Sequence, residues 1–397
     1  MTVDTAPATW DLLDPQFYAD LDQMHRAFTW MRAHAPVWRD ERNDLWAITR
    51  HADLVEVERR SDVFRSGHGY RSFESPDEDN MIAQDDPGHL AQRRLVNRRF
   101  TPNGVKSYEP LIRRVIDELV ADFLPRGRLE VVTELAAAFP AKLTAHLLGF
   151  PESTWPEIRG WSERLMRYDQ VARDDGVALS FVTAIMEFDQ VLADVAAERR
   201  TEPADDLIST WVAAEIGGCP LSHDTLINET GLVISGGAET TRTVIARSLV
   251  AFAEHPDQWE AMADDPSLVP AAVEEMIRWV TPLNNFFRTC AEDVTIGDVD
   301  LHAGDRVMLA YPSANRDETV FTDPFRFDIS RGPNPHVAFG QGTHFCLGAS
   351  LARLELRLLF EQLAARLTDL RVLAGPDIEP NIFVGAVRSL EMAFTAR

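Results

Sequence analysis

The sequence predicts a mainly α fold with a minor β portion, and three observations carry that reading. From His89 to about Glu275 the chain reads as helical, broken at turn signals such as Pro125-Arg126-Gly127 and Gly217-Gly218-Cys219-Pro220. After Phe286, short β-rich runs (Val294–Ile296, Val307–Tyr311) alternate with turns at Gly297-Asp298 and Ala303-Gly304-Asp305. No repeat or linker divides the 397 residues, so one large domain over 1–397 is expected.

The elements follow in order. A helix is expected from about Phe17 to Ala33, then a hairpin pairing Val37-Trp38-Arg39 with Leu45-Trp46-Ala47-Ile48 across the polar turn Asn43-Asp44. Between Phe64 and Pro87 the chain is rich in Gly, Ser, Asp and Pro, and a loop of that length is usually functional or mobile. A proline-free segment from about Ser222 to Ala253 reads as one helix. A last helix runs from about Ala349 to Leu367, with Leu351, Leu354 and Leu358 at helical spacing.

Composition narrows the function. Hydrophobic residues are 45% and charged residues 26%, enough apolar material for a core, which excludes a disordered tail or a collagen-like fibre. Lys+Arg 39 against Asp+Glu 63 gives a net charge of −24, which repels nucleic acid and anionic membranes. Cys219, Cys290 and Cys346 are too few and scattered for a disulfide framework, so a reducing cytoplasm is expected. The N-terminus shows no signal peptide, and no run of ~18 apolar residues that could span a bilayer is apparent.

The sharpest signal is Phe339-Gly340-Gln341-Gly342-Thr343-His344-Phe345-Cys346-Leu347-Gly348, directly before the last helix. The glycines permit a tight turn, and Cys346 sits beside a helix N-terminus that stabilises a thiolate. A lone cysteine is by default a small buried hydrophobe. A zinc site would need a second Cys or His at ligand spacing, and none stands there. A thiolate ligand to haem iron needs only one protein sulfur and fits better.

Three further signals precede it. Gly236-Gly237-Ala238-Glu239-Thr240-Thr241 places two glycines mid-helix, at a cost of roughly 1 kcal/mol each, directly before an acid and a hydroxyl that could relay protons. The same residues also suit a close helix crossing with a solvated Glu. Glu275 and Arg278 stand three apart on one helical face, and His89 and Arg93 four apart on another, as an anionic ligand would want. Alone, each also reads as a surface pair.

Together these motifs resemble the cytochrome P450 monooxygenases, in the family's order: His-x-x-x-Arg, Gly-Gly-x-Glu-Thr-Thr, Glu-x-x-Arg and Phe-Gly-x-Gly-x-His-x-Cys-x-Gly. The resemblance covers essentially the whole chain and implies the cytochrome P450 fold with haem b. Cys346 would be the proximal ligand within the Phe339, Gly340 and Gly348 loop, with Phe339 near its sulfur. His89, Arg93, Arg288 and His344 would hold the haem propionates. Glu239 and Thr240 would deliver protons to iron-bound dioxygen, and members that use peroxide directly generally lack that pair. Glu275 and Arg278, with Arg326, would lock the segment before the cysteine loop.

The resemblance also implies a substrate wall including Met81, Ile82, Val233, Gly236, Leu283, Asn284, Phe383 and Val384, mostly apolar, with Asn284 and Asn285 as polar anchors. Within the family the chain is similar to the actinobacterial steroid side-chain hydroxylases that act on cholest-4-en-3-one, through Met81-Ile82, Asp85-Asp86-Pro87, Arg94-Leu95-Val96-Asn97 and Arg353-Leu354-Glu355-Leu356. Those enzymes typically carry Val-Lys-Asn-Met-Cys-Arg where this chain has Leu283-Asn284-Asn285-Phe286-Phe287-Arg288. Terpenoids, polyketides and fatty acids therefore stand beside sterols. A haem-binding sensor without turnover is a further class, which would need neither proton relay nor electron donor.

No attached reductase domain is expected, so electrons come from a partner. Gly88 to Arg114 holds seven basic residues against Glu109 alone, net +6 in a chain of −24. Arg94, Arg98, Arg99 and Arg113, with Arg353 and Arg357 on the last helix, would form a docking patch for an acidic ferredoxin, steering that salt weakens.

Overall fold

The computed structural model describes residues 10–75 and 78–397; the expectation about an N-terminal signal lies outside the described residues. The first predicted helix is two, α1 (Pro15–Ala19) and α2 (Leu21–His34). Asp20 breaks it by turning its carboxylate onto the Gln23 N–H as an N-cap. The hairpin forms as read, with β1 (Val37–Asp40) antiparallel to β2 (Leu45–Ile48) and Val37 opposite Ile48. After α3 (His51–Arg59) and β3 (Phe64–Arg65) the long loop leads into α4 (Gly88–Val96).

The helical region comprises α5 (Glu109–Phe123), then α6 (Ala138–Leu148), α7 (Trp155–Leu165), α8 (Asp175–Thr201), α9 (Leu207–Val212) and α10 (His223–Glu254). It also holds the strand β4 (Arg128–Glu130) and a small hairpin, β5 (Glu215–Ile216) with β6 (Cys219–Pro220), turned by Gly217 and Gly218 at φ 61° and 83°. Ser222 caps α10 by accepting from the Thr225 N–H. The helix then runs unbroken through Gly236-Gly237 and packs on α6, α7 and α8. Buried residues on several sides of α10, among them Ile234, Ala238, Ile245 and Phe252, make it the centre of the largest apolar cluster. At Gly237 a side chain would reach 3.0 Å from the Thr144 hydroxyl of α6, so this glycine serves a close crossing.

Among the described residues one helix, α8, is long and apolar enough to cross a membrane by length and composition, correcting the sequence reading. Here it packs on α7, α9 and α10 and leaves Leu179, Val182 and Met186 exposed.

The rest of the chain is α11 (Pro256–Asp264), α12 (Val269–Val280), β7 (Asn285–Cys290), β8 (Val294–Ile296), β9 (Val299–Leu301), β10 (Arg306–Ala310), α13 (Tyr311–Ala314), α14 (Ala349–Arg366), β11 (Leu367–Ile378) and β12 (Val387–Ala396). One sheet has the order β1-β2-β10-β7-β3, with β10 parallel to β2 and antiparallel to β7. Another, β11-β12-β4, ties the C-terminus to the helical region. The sequence reading missed β11 and β12. Repeated register shifts in β11 and its mostly exposed side chains erase the alternation that marks a strand, although Leu390, Met392 and Phe394 in β12 carry it.

Candidate active site

The cysteine loop is shaped by two glycines with positive φ. Gly340 (φ 67°) would place a side chain 3.0 Å from the Glu58 carboxylate, and Gly342 (φ 68°) would drive one into the Glu58 backbone carbonyl. The loop closes when the Cys346 N–H donates to the Phe339 carbonyl at 2.8 Å. The chain then enters α14, so the Gly348 and Ala349 N–H groups donate to the Cys346 sulfur. On balance burial raises the thiol pKa, against the opposing pull of those donors and of the Arg93 and Arg353 guanidinium groups. Cys346 retains accessible surface although protein surrounds it, so it lines an internal cleft rather than the outer surface. The Phe339 ring lies between the Arg353 guanidinium, 4.5 Å from its centroid, and the Phe345 ring at 6.3 Å.

Positive and donor groups gather in front of this loop. His89 on α4 is 1% exposed. Its Nδ1 faces Asp86 at 3.0 Å, and its Nε2 is buried with no partner. The His344 ring stands 4.3 Å from that of His89. Burial, with Arg288, His89 and Arg93 nearby, holds His344 down to about 2. Arg93 donates to the carbonyls of Thr343 (3.4 Å) and Phe345 (2.6 Å) and pairs with no carboxylate among the described residues. Arg288, buried on β7, donates to the Phe287 carbonyl at 2.7 Å. The one carboxyl facing it, Glu58, is pushed up to about 7 by burial and takes the Tyr311 hydroxyl at 2.6 Å. Two arginines without an ion pair among the described residues, beside an orphaned buried His89 nitrogen, fit a ligand that presents carboxylates of its own.

The α10 motif lies on a helix that packs against α14, with Thr241 hydrogen-bonded to Glu355. A side chain at Gly236 would meet nothing within 4 Å, so this weakened turn faces open space. The Thr240 hydroxyl donates back to the Gly236 carbonyl at 2.8 Å. Glu239, 2% exposed, is pushed up to about 6 by burial, with Arg242 opposing and Glu163 and Glu379 adding to the rise. Glu239 and Thr240 are neighbours but share no hydrogen bond. Instead Arg242 donates to Glu239 (3.1 Å), to Glu163 of α7 (2.6 Å) and to the Val387 carbonyl of β12 (2.9 Å). The acid is thus tied to two other elements through Arg242, a residue the sequence reading did not single out.

Behind the cysteine loop, Glu275 accepts two Arg278 bonds, each 2.7 Å, with both side chains fully buried. The expected third member is corrected. Arg326 is mostly exposed and reaches only Asp328 at 3.7 Å; Arg331 donates to Glu275 at 3.1 Å. Arg326 contributes its backbone carbonyl, which both Arg278 and Arg331 use.

On the substrate side, Ile82, Val233, Gly236 and Leu283 keep accessible surface, whereas Met81, Phe383 and Val384 are buried. Leu283 and Val384 bridge their two segments. The polar-anchor expectation fails. The Asn284 amide nitrogen donates to the carbonyls of Asn381 and Ile382 and that of Asn285 to Ile382, so both NH2 groups are spent on backbone, and the Asn285 Oδ1 is fully buried without a partner. Sequence reading also missed Arg71, which pairs with the buried Asp169 and lies 3.6 Å over the Phe383 ring, joining the long loop to the segment after α7. It missed Glu229 too. That carboxyl, one α10 face away from Glu239, accepts the Met81 N–H at 2.8 Å and holds the loop in place.

The expected docking patch is narrower than read. Arg99 pairs with Asp205, Arg113 with Glu109 and Arg353 with Glu274. Arg94 and Arg98 are exposed, and Arg357 half-buried, without an ion pair among the described residues.

Comparison with known proteins agrees with this geometry. The Cytochrome P450 family profile matches residues 178–368. A steroid C26-monooxygenase of Mycolicibacterium smegmatis is 39% identical over 387 residues, covering 97% of this chain and 96% of the relative. The chain belongs to the cytochrome P450 family. It is a P450 monooxygenase, an oxidoreductase that binds haem through a thiolate. A steroid C26-monooxygenase of Mycobacterium tuberculosis is 39% identical over 391 residues, covering 97% of each chain. Among solved structures, a Mycobacterium marinum cytochrome P450 in complex with pseudoionone superposes at a TM-score of 0.89, with 34% identity over 98% of this chain and 100% of that one. A Bacillus megaterium P450 in complex with testosterone gives 0.86 at 28% identity, over 96% and 99% of the two chains.

Proposed function

We propose that this P450 inserts one oxygen atom from dioxygen into a C–H bond of a bulky lipophilic substrate, a steroid or sterol side chain, with electrons from a ferredoxin. The observation that carries the reading is a cysteine loop whose sulfur receives the Gly348 and Ala349 N–H groups, beside an open cation cluster, together with the acid and the hydroxyl of α10. Cys346 is the residue that would hold haem iron, and His89, Arg93, Arg288 and His344 the ones that would hold its carboxylates. When bound, the haem supplies the activation of dioxygen, which consumes two electrons and two protons.

The chain's residues supply the rest. Glu239, titrating at about 6, exchanges a proton near neutral pH, and Arg242 sets its position. The Thr240 hydroxyl, its proton donated to the Gly236 carbonyl, presents an acceptor oxygen at the turn opened by Gly236. Ile82, Val233 and Leu283 offer the substrate apolar contact and exclude water. Arg94, Arg98 and Arg357 offer positive charge to an acidic electron donor in a chain otherwise strongly negative. The steroid class is supported by the relatives named steroid C26-monooxygenase and by the testosterone complex.

Optical titration of the ferric enzyme tests the substrate. A saturable low-spin to high-spin change with cholest-4-en-3-one, and none with a terpenoid or fatty acid, is the expected result. A change with the smaller lipid alone would overturn the steroid reading and leave the haem chemistry standing.

A further inference from the structure

Remote from the cysteine loop, a cavity lies between α2, α10, α12 and α13, with about 10 Å³ open to the centre of a water-sized sphere, room for one water or one monatomic ion. Its lining includes His25, Arg247, Asn284 and Arg316. The charges around it are one-sided. Arg247 makes no hydrogen bond or ion pair among the described residues, and burial alone pulls its pKa down to about 10. Arg316 is 3% exposed. Its terminal nitrogens donate to the carbonyls of Arg278 and Trp279, and its Nε is buried without a partner. The His25 Nδ1 is buried without a partner as well. That ring is kept neutral by burial and by Arg316, Arg247 and Arg32.

The nearby carboxylates are committed elsewhere. Glu275 already accepts from Arg278, Arg331, Asn334 and the Asp328 N–H. Glu318 holds Arg32, and Asp317 caps His51 and Thr319. A guanidinium does not shed its charge at any ordinary pH, and a buried charge without a counter-charge is costly. The chain nevertheless makes room for this one. At Gly385 a side chain would come within 2.9 Å of the Arg247 Nη1, and the φ there does not call for glycine. Phe325, 48% exposed, covers the cluster edge-on to His25 and 5.9 Å from the Arg316 guanidinium, so the cavity lies close beneath the surface.

We infer that this cavity is a binding site for a small monovalent inorganic anion, held by Arg247 and the Arg316 Nε. The occupant is a halide-sized ion rather than a phosphate, because the space admits a single small sphere. Its binding fixes Arg247 behind Asn284 and Gly385, at the back of the segments that carry Leu283 and Phe383.

Chloride is the probe, with the haem-loaded enzyme. Thermal unfolding is followed as sodium chloride replaces sodium gluconate at constant ionic strength. The site predicts a saturable rise in the midpoint with chloride, weakened at least tenfold in apparent affinity by Arg247→Met. Superimposed chloride and gluconate curves, or an undiminished response in the variant, would overturn it. Should Arg247→Met fail to fold, the wild-type protein still decides. A bromide-soaked crystal should show anomalous density in the cavity, and a cavity holding water alone contradicts the proposal.

Discussion

Two charged regions lie on either side of the cysteine loop and are built on opposite plans. Behind it, Glu275, Arg278 and Arg331 form a closed cluster in which both carboxylate oxygens are taken and Arg278 satisfies three backbone carbonyls besides. In front of it, Arg93, Arg288, His89 and His344 crowd together with an unpartnered His89 nitrogen; Asp86 faces the other His89 nitrogen, and burial pushes Glu58 up to about 7. The closed cluster holds the chain in shape, and the open one is free to hold something else. Charge that is already satisfied is architecture; charge that is gathered and unsatisfied marks a binding surface.

Breaking the closed cluster should cost the most stability. Arg278→Met leaves the buried Glu275 with Arg331 as its one counter-charge and should lower unfolding free energy by about 3–5 kcal/mol in urea titrations of the apoprotein. Arg331→Ala removes a charged hydrogen bond, about 1.5–3 kcal/mol. Arg326→Ala, at a mostly exposed side chain, should stay within about 0.5 kcal/mol. Equal losses at 326 and 331 would contradict the assignment of Arg331 as the third member.

The open cluster should respond the other way. Arg288→Met removes a buried cation that has no full counter-charge, so the apoprotein should be as stable as wild type or more so. Haem retention should fall, with transfer to apomyoglobin about 10- to 100-fold faster, the equivalent of one charged hydrogen bond. A variant that destabilises the apoprotein and keeps its haem would erase the contrast between the two regions.

A pH-dependent effect separates a buried acid from both clusters. Burial pushes Glu355 up to about 8, with the Thr241 hydroxyl opposing. The folded chain therefore keeps this proton, while the unfolded chain releases it near the usual 4.5, so stability falls as pH rises between these values. Glu355→Gln should flatten that slope by about 1.4 kcal/mol per pH unit. An unchanged slope would mean the carboxyl is ionised in the folded state. The smallest effect is expected at the surface. Neutralising Arg94 and Arg98 together should slow ferredoxin-supported reduction several-fold at low salt and leave it unchanged at high salt.

These regions also differ in how far the sequence reveals them. Cys346, the glycines before it and the Glu239-Thr240 turn are legible because chemistry fixes both residue type and spacing within one short segment. The partners are not. Arg331 rather than Arg326 reaches Glu275 because of how the chain folds back between α13 and α14. Asn284 and Asn285 look like substrate anchors, yet their amides brace residues 381–382, about a hundred positions away. Arg71 with Asp169, and Glu229 with Met81, are likewise long-range pairs without a local pattern. The helices were readable from periodicity. The break at Asp20 carried a capping signal, and β11 lost its alternation to register shifts.

The central claim is that α10 delivers protons into a cleft whose far wall is the Cys346 loop. Its most direct test is the yield of product per electron consumed in Thr240→Ala, with haem content and the ferric spectrum matched to wild type. The account predicts continued electron uptake with product per electron reduced about tenfold or more, the missing electrons appearing as peroxide or water. A variant that couples electrons to product as well as wild type would contradict it.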